Sequence, residues 1–128
     1  MSAGWRSLAF LGAVAGLTAV IFAALGSHLG GGIDEASRYR SWQAANGMHA
    51  LHAVALLGLA ALRRQGRSWL WTAAGLLMAL GLLLFSGSIY WSILADGVDT
   101  GGVAPIGGST MMIGWLVAAI AAVVDRDA

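Results

Sequence analysis

The stretch Asn-Gly-Met-His-Ala-Leu-His, residues 46–52, sets His49 and His52 three positions apart at the start of an apolar run. On a helix, that spacing leaves the two imidazoles about 60° apart around the axis, so both can address one site. Imidazoles with nearby carboxylates are ligands for zinc or copper. A histidine from each of two helices can also hold a haem iron from both faces. His28, the third histidine of the chain, would then join the pair, with Asp34, Glu35, Asp96 and Asp99 near the same level. The plainer reading is the stronger one. A polar residue at the end of an apolar helix commonly hydrogen-bonds a neighbouring helix or a lipid headgroup, and an HxxH pair alone is a weak metal signal. His28, His49 and His52 therefore stand as weak metal candidates, and no cofactor is expected.

Two further stretches could meet a ligand. In Leu-Phe-Ser-Gly-Ser-Ile-Tyr-Trp, residues 84–91, Ser86 and Tyr90 share a helix face, Ser88 lies between them, and Gly87 permits a close neighbour. A buried tyrosine seeks a partner for its hydroxyl, while a serine can bond back to its own helix. In Gly-Gly-Val-Ala-Pro-Ile-Gly-Gly-Ser-Thr, residues 101–110, Pro105 suits the first turn of a helix and Gly107 and Gly108 leave that turn bare. Open N–H groups at such a start can bind a phospholipid headgroup or a carboxylate. The competing readings are an ordinary packing interface for the first stretch and a tight turn with close packing for the second. Catalysis has little to stand on. Ser86 and Ser88 lack an evident base, and the apolar spans carry no Asp or Glu.

The elements that must position these groups follow from composition. The 128 residues are 59% hydrophobic and only 10% charged, with a mean hydropathy of +0.78. Soluble domains carry about a quarter charged residues. The absence of cysteine removes disulfides and thiolate chemistry, and a net charge of +1 gives no field for nucleic acid. Four apolar blocks, at about residues 7–25, 43–62, 69–94 and 105–124, approach or exceed the roughly 20 residues needed to span a bilayer. Lipid forces each to be a helix. The expected architecture is thus a single all-α transmembrane bundle of four helices. The first block could be mistaken for a signal peptide, but its apolar run is longer than usual, so it is read as a retained span.

All seven basic residues are arginine. Arg6, the cluster Arg63, Arg64 and Arg67, and Arg126 fall on one side, which predicts cytoplasmic N- and C-termini. Trp5, Trp42, Trp69, Trp71 and Trp91 sit at span ends, where amphipathic rings favour the headgroup region; Trp115 is mid-span. In the first outer loop, Gly30, Gly31 and Gly32 precede an expected N-cap at Asp34, and a short helix from about Glu35 should lie on the membrane surface or bend into the second span. Gly12 and Gly16, and Gly114, Ala118 and Ala122, have the small-xxx-small spacing of close helix contacts, either within the chain or in a homo-oligomer.

The serial order of Gly-Ser-His (26–28), His-Ala-Val-Ala-Leu-Leu (52–57), residues 84–91, Ala-Pro-Ile-Gly-Gly (104–108) and Gly-Trp (114–115) resembles the DUF423 family of small membrane proteins, which includes YgdD-like bacterial proteins and transmembrane protein 256. The resemblance covers nearly the whole chain. It implies a four-span helical protein of the bacterial inner membrane, and it implies no reaction. By motif, His28, His52, Ser86, Gly87, Ser88, Tyr90, Pro105, Gly107 and Gly108 fit the family pattern. Met48 and His49 instead stand where the family usually has an aromatic and a glutamine. A shared mechanism would then rest on His28 and His52, lining an outer polar cluster with Ser86, Tyr90 and the Gly107–Gly108 helix start. The function expected is recognition of a lipid or small ligand, or support of a partner. A metal or haem redox module and an oligomeric transporter or channel are the rivals.

Overall fold

The structure is a computed structural model that describes residues 2–29 and 36–125. These residues form four helices: α1 (Ser2–Leu29), α2 (Ala36–Gln65), α3 (Leu70–Leu94) and α4 (Val103–Val124). Each is long and apolar enough to cross a membrane. The 28 residues of α1 and 30 of α2 give lengths of about 42 and 45 Å at 1.5 Å per residue. Both exceed a hydrocarbon core of about 30 Å, so they tilt or emerge from it. The large apolar side chains left on the outside, Phe10, Leu17, Val54, Leu83 and Val123 among them, face lipid.

Of the two forms expected for the helix from about Glu35, the described residues show the one that runs into the second span. No glycine or proline interrupts Ala36–Asn46, so α2 runs unbroken from Ala36 and its first turns lengthen the second span. Asp34 and Glu35, the expected cap and first turn, lie outside the described residues. Helix α4 starts at Val103, two residues before Pro105. Before it, Asp96 and Gly97 take left-handed backbone at φ 59° and 83°, which turns the chain out of α3.

Neighbours in sequence are neighbours in space: α1 packs on α2, α2 on α3 and α3 on α4, and α1 also touches α3. Helices in lipid gain little from apolar burial against one another, so small residues must let their backbones approach. Between α3 and α4, a Cβ on Gly81 would lie 2.7 Å from the Gly107 carbonyl oxygen, and one on Gly114 would lie 3.1 Å from that of Ala74. Between α1 and α2, a Cβ on Gly12 would lie 3.0 Å from the Leu57 nitrogen, and the bare face of Gly75 seats Leu8 of α1. Gly12, Gly114 and Ala118 are thus buried by packing within the chain, whereas Gly16 has open space beside it and Ala122 is exposed. Leu8, Leu56, Met78 and Ala121 fill the end of the bundle that holds Arg6 and Arg63. Trp42, Ala45 and Tyr90 fill the other end, with Phe22 and Ile93 against them.

Two tryptophans expected in the headgroup belt are core residues instead. Trp42 is buried on Gly26 and donates its indole N–H to the Phe22 carbonyl at 3.1 Å. Trp71 is buried and donates to the Asp125 carboxylate at 2.6 Å. In both cases a hydrogen-bond acceptor inside the protein holds the ring inward. Trp69 and Trp91 do remain exposed. The Asp125 carboxylate also accepts the backbone N–H groups of Arg67 and Ser68 at 3.1 and 2.9 Å, clasping the end of α4 to the α2–α3 loop.

Two predictions follow from these contacts. Gly107→Ala drives its Cβ into the Phe85 backbone, which cannot move aside, whereas a Cβ on Gly108 meets only the Phe85 ring at 3.9 Å. We expect Gly107→Ala to cost about 1–3 kcal/mol and Gly108→Ala to be near neutral, measured by denaturant titration in detergent. The Trp71 N–H, then the backbone donors at Ser68 and Arg67 and the Arg63 charge, hold the Asp125 carboxyl below its ordinary value, against an opposing desolvation. A depressed folded pKa stabilises above the unfolded value of about 3.9 and loses that contribution as pH falls through the folded value. Thermal unfolding should therefore show an acid-dependent loss below about pH 4 that Asp125→Asn removes.

Candidate functional site

One stripe of α2 carries polar groups through the bundle: Trp42, Asn46, His49 and His52, spaced four, three and three apart. His49 and His52 are the fourteenth and seventeenth of the thirty residues of α2, so they sit at its middle and not at an outer mouth. Both are buried, His52 to 2% exposure. At that depth every polar atom needs a protein partner, and the other three helices supply them.

The hydrogen bonds around His49 have only one direction that uses every donor. Asn46 Nδ2 lies 2.9 Å from the Ala19 carbonyl, which fixes it as the amide nitrogen, and 3.3 Å from the Tyr90 hydroxyl, to which it donates its second hydrogen. The Tyr90 O–H then donates to His49 Nδ1 at 3.1 Å. His49 Nε2–H donates to Thr18 Oγ1 at 2.9 Å, and the Thr18 hydroxyl donates back to the carbonyls of Val14 and Ala15 at 2.9 and 3.0 Å. Reversing the order would strand the Tyr90 proton without an acceptor among the described residues. Phe22 stacks on the Tyr90 ring at 4.3 Å and Trp42 tilts against it at 4.8 Å, so two aromatic neighbours hold the phenol. Ser86 Oγ donates to the Ala45 carbonyl of α2 at 2.8 Å, not to its own helix.

His52 belongs to a second bond set. Its Nδ1–H donates to the Met48 carbonyl at 2.8 Å, one turn back. The Trp115 indole N–H donates to its Nε2 at 3.0 Å, tying α2 to α4. An indole can only donate, so this histidine is the neutral Nδ1–H tautomer. That bond explains Trp115, the tryptophan found mid-span. No buried side-chain polar atom among the described residues is left without a partner.

The expected cluster is therefore only partly assembled. Tyr90 and Ser86 join His49, which carried little weight in the sequence. His28 does not join: it is exposed in the last turn of α1, ten residues beyond Thr18, about 15 Å along the axis. His52 faces α4. Ser88 donates to the Phe85 carbonyl of its own helix. Gly107 and Gly108 are the fifth and sixth residues of α4, so their N–H groups are spent inside the helix, and Gly107 is buried against α3. The open helix start expected there lies earlier, because Pro105 occupies the third helical position. Among the described residues, no three His, Asp or Glu side chains are placed to hold a metal ion. Thr18, Asn46 and Trp42 are partners that sequence reasoning missed; for Trp42 alone, the three-and-four spacing of Trp42, Ala45, His49, His52 and Leu56 was the available signal.

Beside this network, α1 and α3 stand apart between their contacts at Leu8–Gly75 and at Phe22–Tyr90. They leave a lateral groove of about 500 Å³ floored by α2. Its walls are apolar, with Leu11, Val14, Leu80 and Leu83 prominent, and Thr18, His49, Ser86 and Tyr90 supply its few polar groups. Size and lining both match small-molecule sites, which span about 300–1,000 Å³ and combine apolar walls with a few placed polar groups.

The tautomers and the bonds are both testable. Nitrogen-15 NMR should find the proton on Nε2 in His49 and on Nδ1 in His52; matching tautomers would break the derived chain. Glutamine also offers one nitrogen donor and one oxygen acceptor, so His49→Gln should be tolerated. His49→Leu orphans the Tyr90 proton and should cost about 1–2 kcal/mol in detergent unfolding, the upper range for bonds between membrane helices.

Proteins similar to this chain are also described as membrane proteins. A family described as a protein of unknown function, DUF423, matches residues 22–108. The UPF0382 membrane protein YwdK of Bacillus subtilis is 35% identical over 116 residues, covering 88% of this chain and 93% of the relative. A UPF0382 membrane protein of Staphylococcus epidermidis is 34% identical over 117 residues, covering 87% and 90%. The UPF0382 inner membrane protein YgdD of Escherichia coli is 30% identical over 119 residues, covering 92% and 90%. No solved structure matches the chain. With a family match over more than half its length, and relatives of similar size aligned nearly end to end, this four-helix membrane protein belongs to the DUF423 family.

Proposed function

We propose that this chain is a non-enzymatic protein of the bacterial inner membrane that holds one lipid chain in the groove between α1 and α3. The observation that carries the reading is the groove itself: about 500 Å³, apolar-walled and open sideways to the bilayer, with polar groups at one end that are already paired. A site that must bind water-soluble cargo needs a polar route to it, and this groove opens toward lipid-facing side chains such as Leu83 and Leu17. The network stiffens the floor, since Thr18, His49 and Tyr90 link α1, α2 and α3 across it.

The redox alternative is weaker on geometry. Both nitrogens of His49 and of His52 are engaged in protein hydrogen bonds, and His28 stands apart from them. The arginines favour both termini in the cytoplasm. Arg6 and Arg64 lie 5.6 and 5.1 Å from the Trp5 ring at one end of the bundle, joined there by Arg63 and Arg67.

The test is lipid retention. Ala79 lines the groove from α3, so Ala79→Phe should fill it without touching the polar network. Wild-type protein should leave the membrane with about one bound lipid by native mass spectrometry in mild detergent, and Ala79→Phe should not. Equal retention by both proteins would reject the groove as the site. Terminal reporter fusions should be active only with reporters that work in the cytoplasm.

A further inference from the structure

We infer that the groove selects a ligand that donates a hydrogen bond, specifically a neutral long-chain lipid alcohol, in preference to the same chain ending in an acceptor alone. This rests on the groove reading above and adds the chemistry of the ligand's polar end.

The inference comes from what the network leaves unused. Every side-chain hydrogen at the groove's polar end has an acceptor inside the protein: Tyr90 O–H on His49, His49 Nε2–H on Thr18, Thr18 O–H on Val14 and Ala15, and Ser86 O–H on Ala45. None remains to greet a ligand carbonyl. The acceptor side is not exhausted. A hydroxyl oxygen has two lone pairs. Thr18 Oγ1 accepts only from His49, and Ser86 Oγ accepts from no group among the described residues. Both residues line the groove. A ligand O–H can bond there without breaking any existing bond, whereas a ketone, ester or ether oxygen would have to displace one and leave its partner orphaned.

Depth decides the rest of the ligand. Ser86 stands eight residues before the end of α3, about 12 Å inside it. A phosphate, carboxylate or ammonium is costly at that depth, and Arg38 and Arg40, the basic residues of α2 toward that end, donate to the Ile93 and Ala36 carbonyls, not into the groove. A hydroxyl is the smallest neutral donor that an apolar chain can carry. The apolar walls then accept the chain, and Thr18 and Ser86 read its end.

Two photoreactive probes test this in proteoliposomes of phosphatidylethanolamine and phosphatidylglycerol. Both carry a 16-carbon chain with a central diazirine; one ends in a hydroxyl and the other in its methyl ether. Labelled positions are mapped by mass spectrometry. One hydrogen bond is worth roughly five-fold in binding, so the alcohol should label Leu11, Val14, Leu80 and Leu83 about five times more than the ether does. The double variant Ser86→Ala with Thr18→Val should bring that ratio to about one, while Thr18→Ser should keep it. Because the ratio is read between probes in one preparation, a general loss of folded protein does not mimic the result. Equal groove labelling by alcohol and ether in the wild type would overturn the donor inference and leave the groove standing. A preference surviving in the double variant would overturn the assignment to Thr18 and Ser86. Labelling no stronger in the groove than at Met112 and Leu116 on the lipid face of α4 would overturn the groove reading itself.

Discussion

The structure depends on one constraint: α2 carries amide, imidazole and indole groups through the middle of the bundle, where lipid offers them no partner. Each must find an acceptor or donor on another helix, and those partners fix where the helices lie. Trp42 and Asn46 bond to the carbonyls of Phe22 and Ala19, which sets the register of α1 against α2. Ala45 and His49 receive Ser86 and Tyr90, which sets α3. His52 receives Trp115, which draws in α4 although that helix packs mainly on α3. Bonds of this kind average only about 0.6 kcal/mol each in membranes. Their larger effect is negative: a slipped register would strand several buried groups at once.

The other half of the assembly uses close approach. Gly81, Gly107 and Gly114 let α3 and α4 meet backbone to backbone, with Met78 and Met111 filling the gaps between them. Helix α1 meets α3 through Gly4 and Leu8 near one end and through the Phe22–Tyr90 stack toward the other, with no close backbone approach between. Val14, Leu80 and Leu83 line the opening that remains between the two helices. Its polar end exists because the α2 stripe and its partners reach the edge of that opening. Fold and site therefore have one cause: α2 is bonded to both flanking helices, while those helices meet each other only near the two ends, at Leu8–Gly75 and at Phe22–Tyr90.

The spans were legible in the sequence because hydropathy, length and arginine placement all point the same way, and the four helices contain them to within a residue. The depth of the histidines was not legible in the same manner. The clean apolar run begins at Met48, so His49 looked like a span mouth, yet α2 continues at least twelve residues before it, back to Ala36. The burial of Trp42 and Trp71 was hidden because an indole at a span end looks the same whether its N–H meets a headgroup or a carbonyl and carboxylate inside the protein. Thr18 gave no sign at all. A threonine within a helix usually bonds to its own backbone, as this one does, and its second role appears only when His49 arrives from another helix. Gly107 was readable as small but not as buried, since that depended on α4 starting before Pro105.

The opening pair of histidines thus separates into two unlike residues. His52 is a neutral imidazole between its own backbone and Trp115, where it serves as the acceptor that keeps an indole N–H satisfied in lipid. His49 is a neutral imidazole of the opposite tautomer, passing a hydrogen bond from Tyr90 to Thr18. A glutamine at position 49 would be a conservative exchange in this network. A carboxamide and a neutral imidazole each present one nitrogen donor and one acceptor at the end of a short stem. A role that required protonation, metal ligation or nucleophilic attack would use properties that glutamine lacks. The hydrogen bonds around His49 use only the property that the two side chains share.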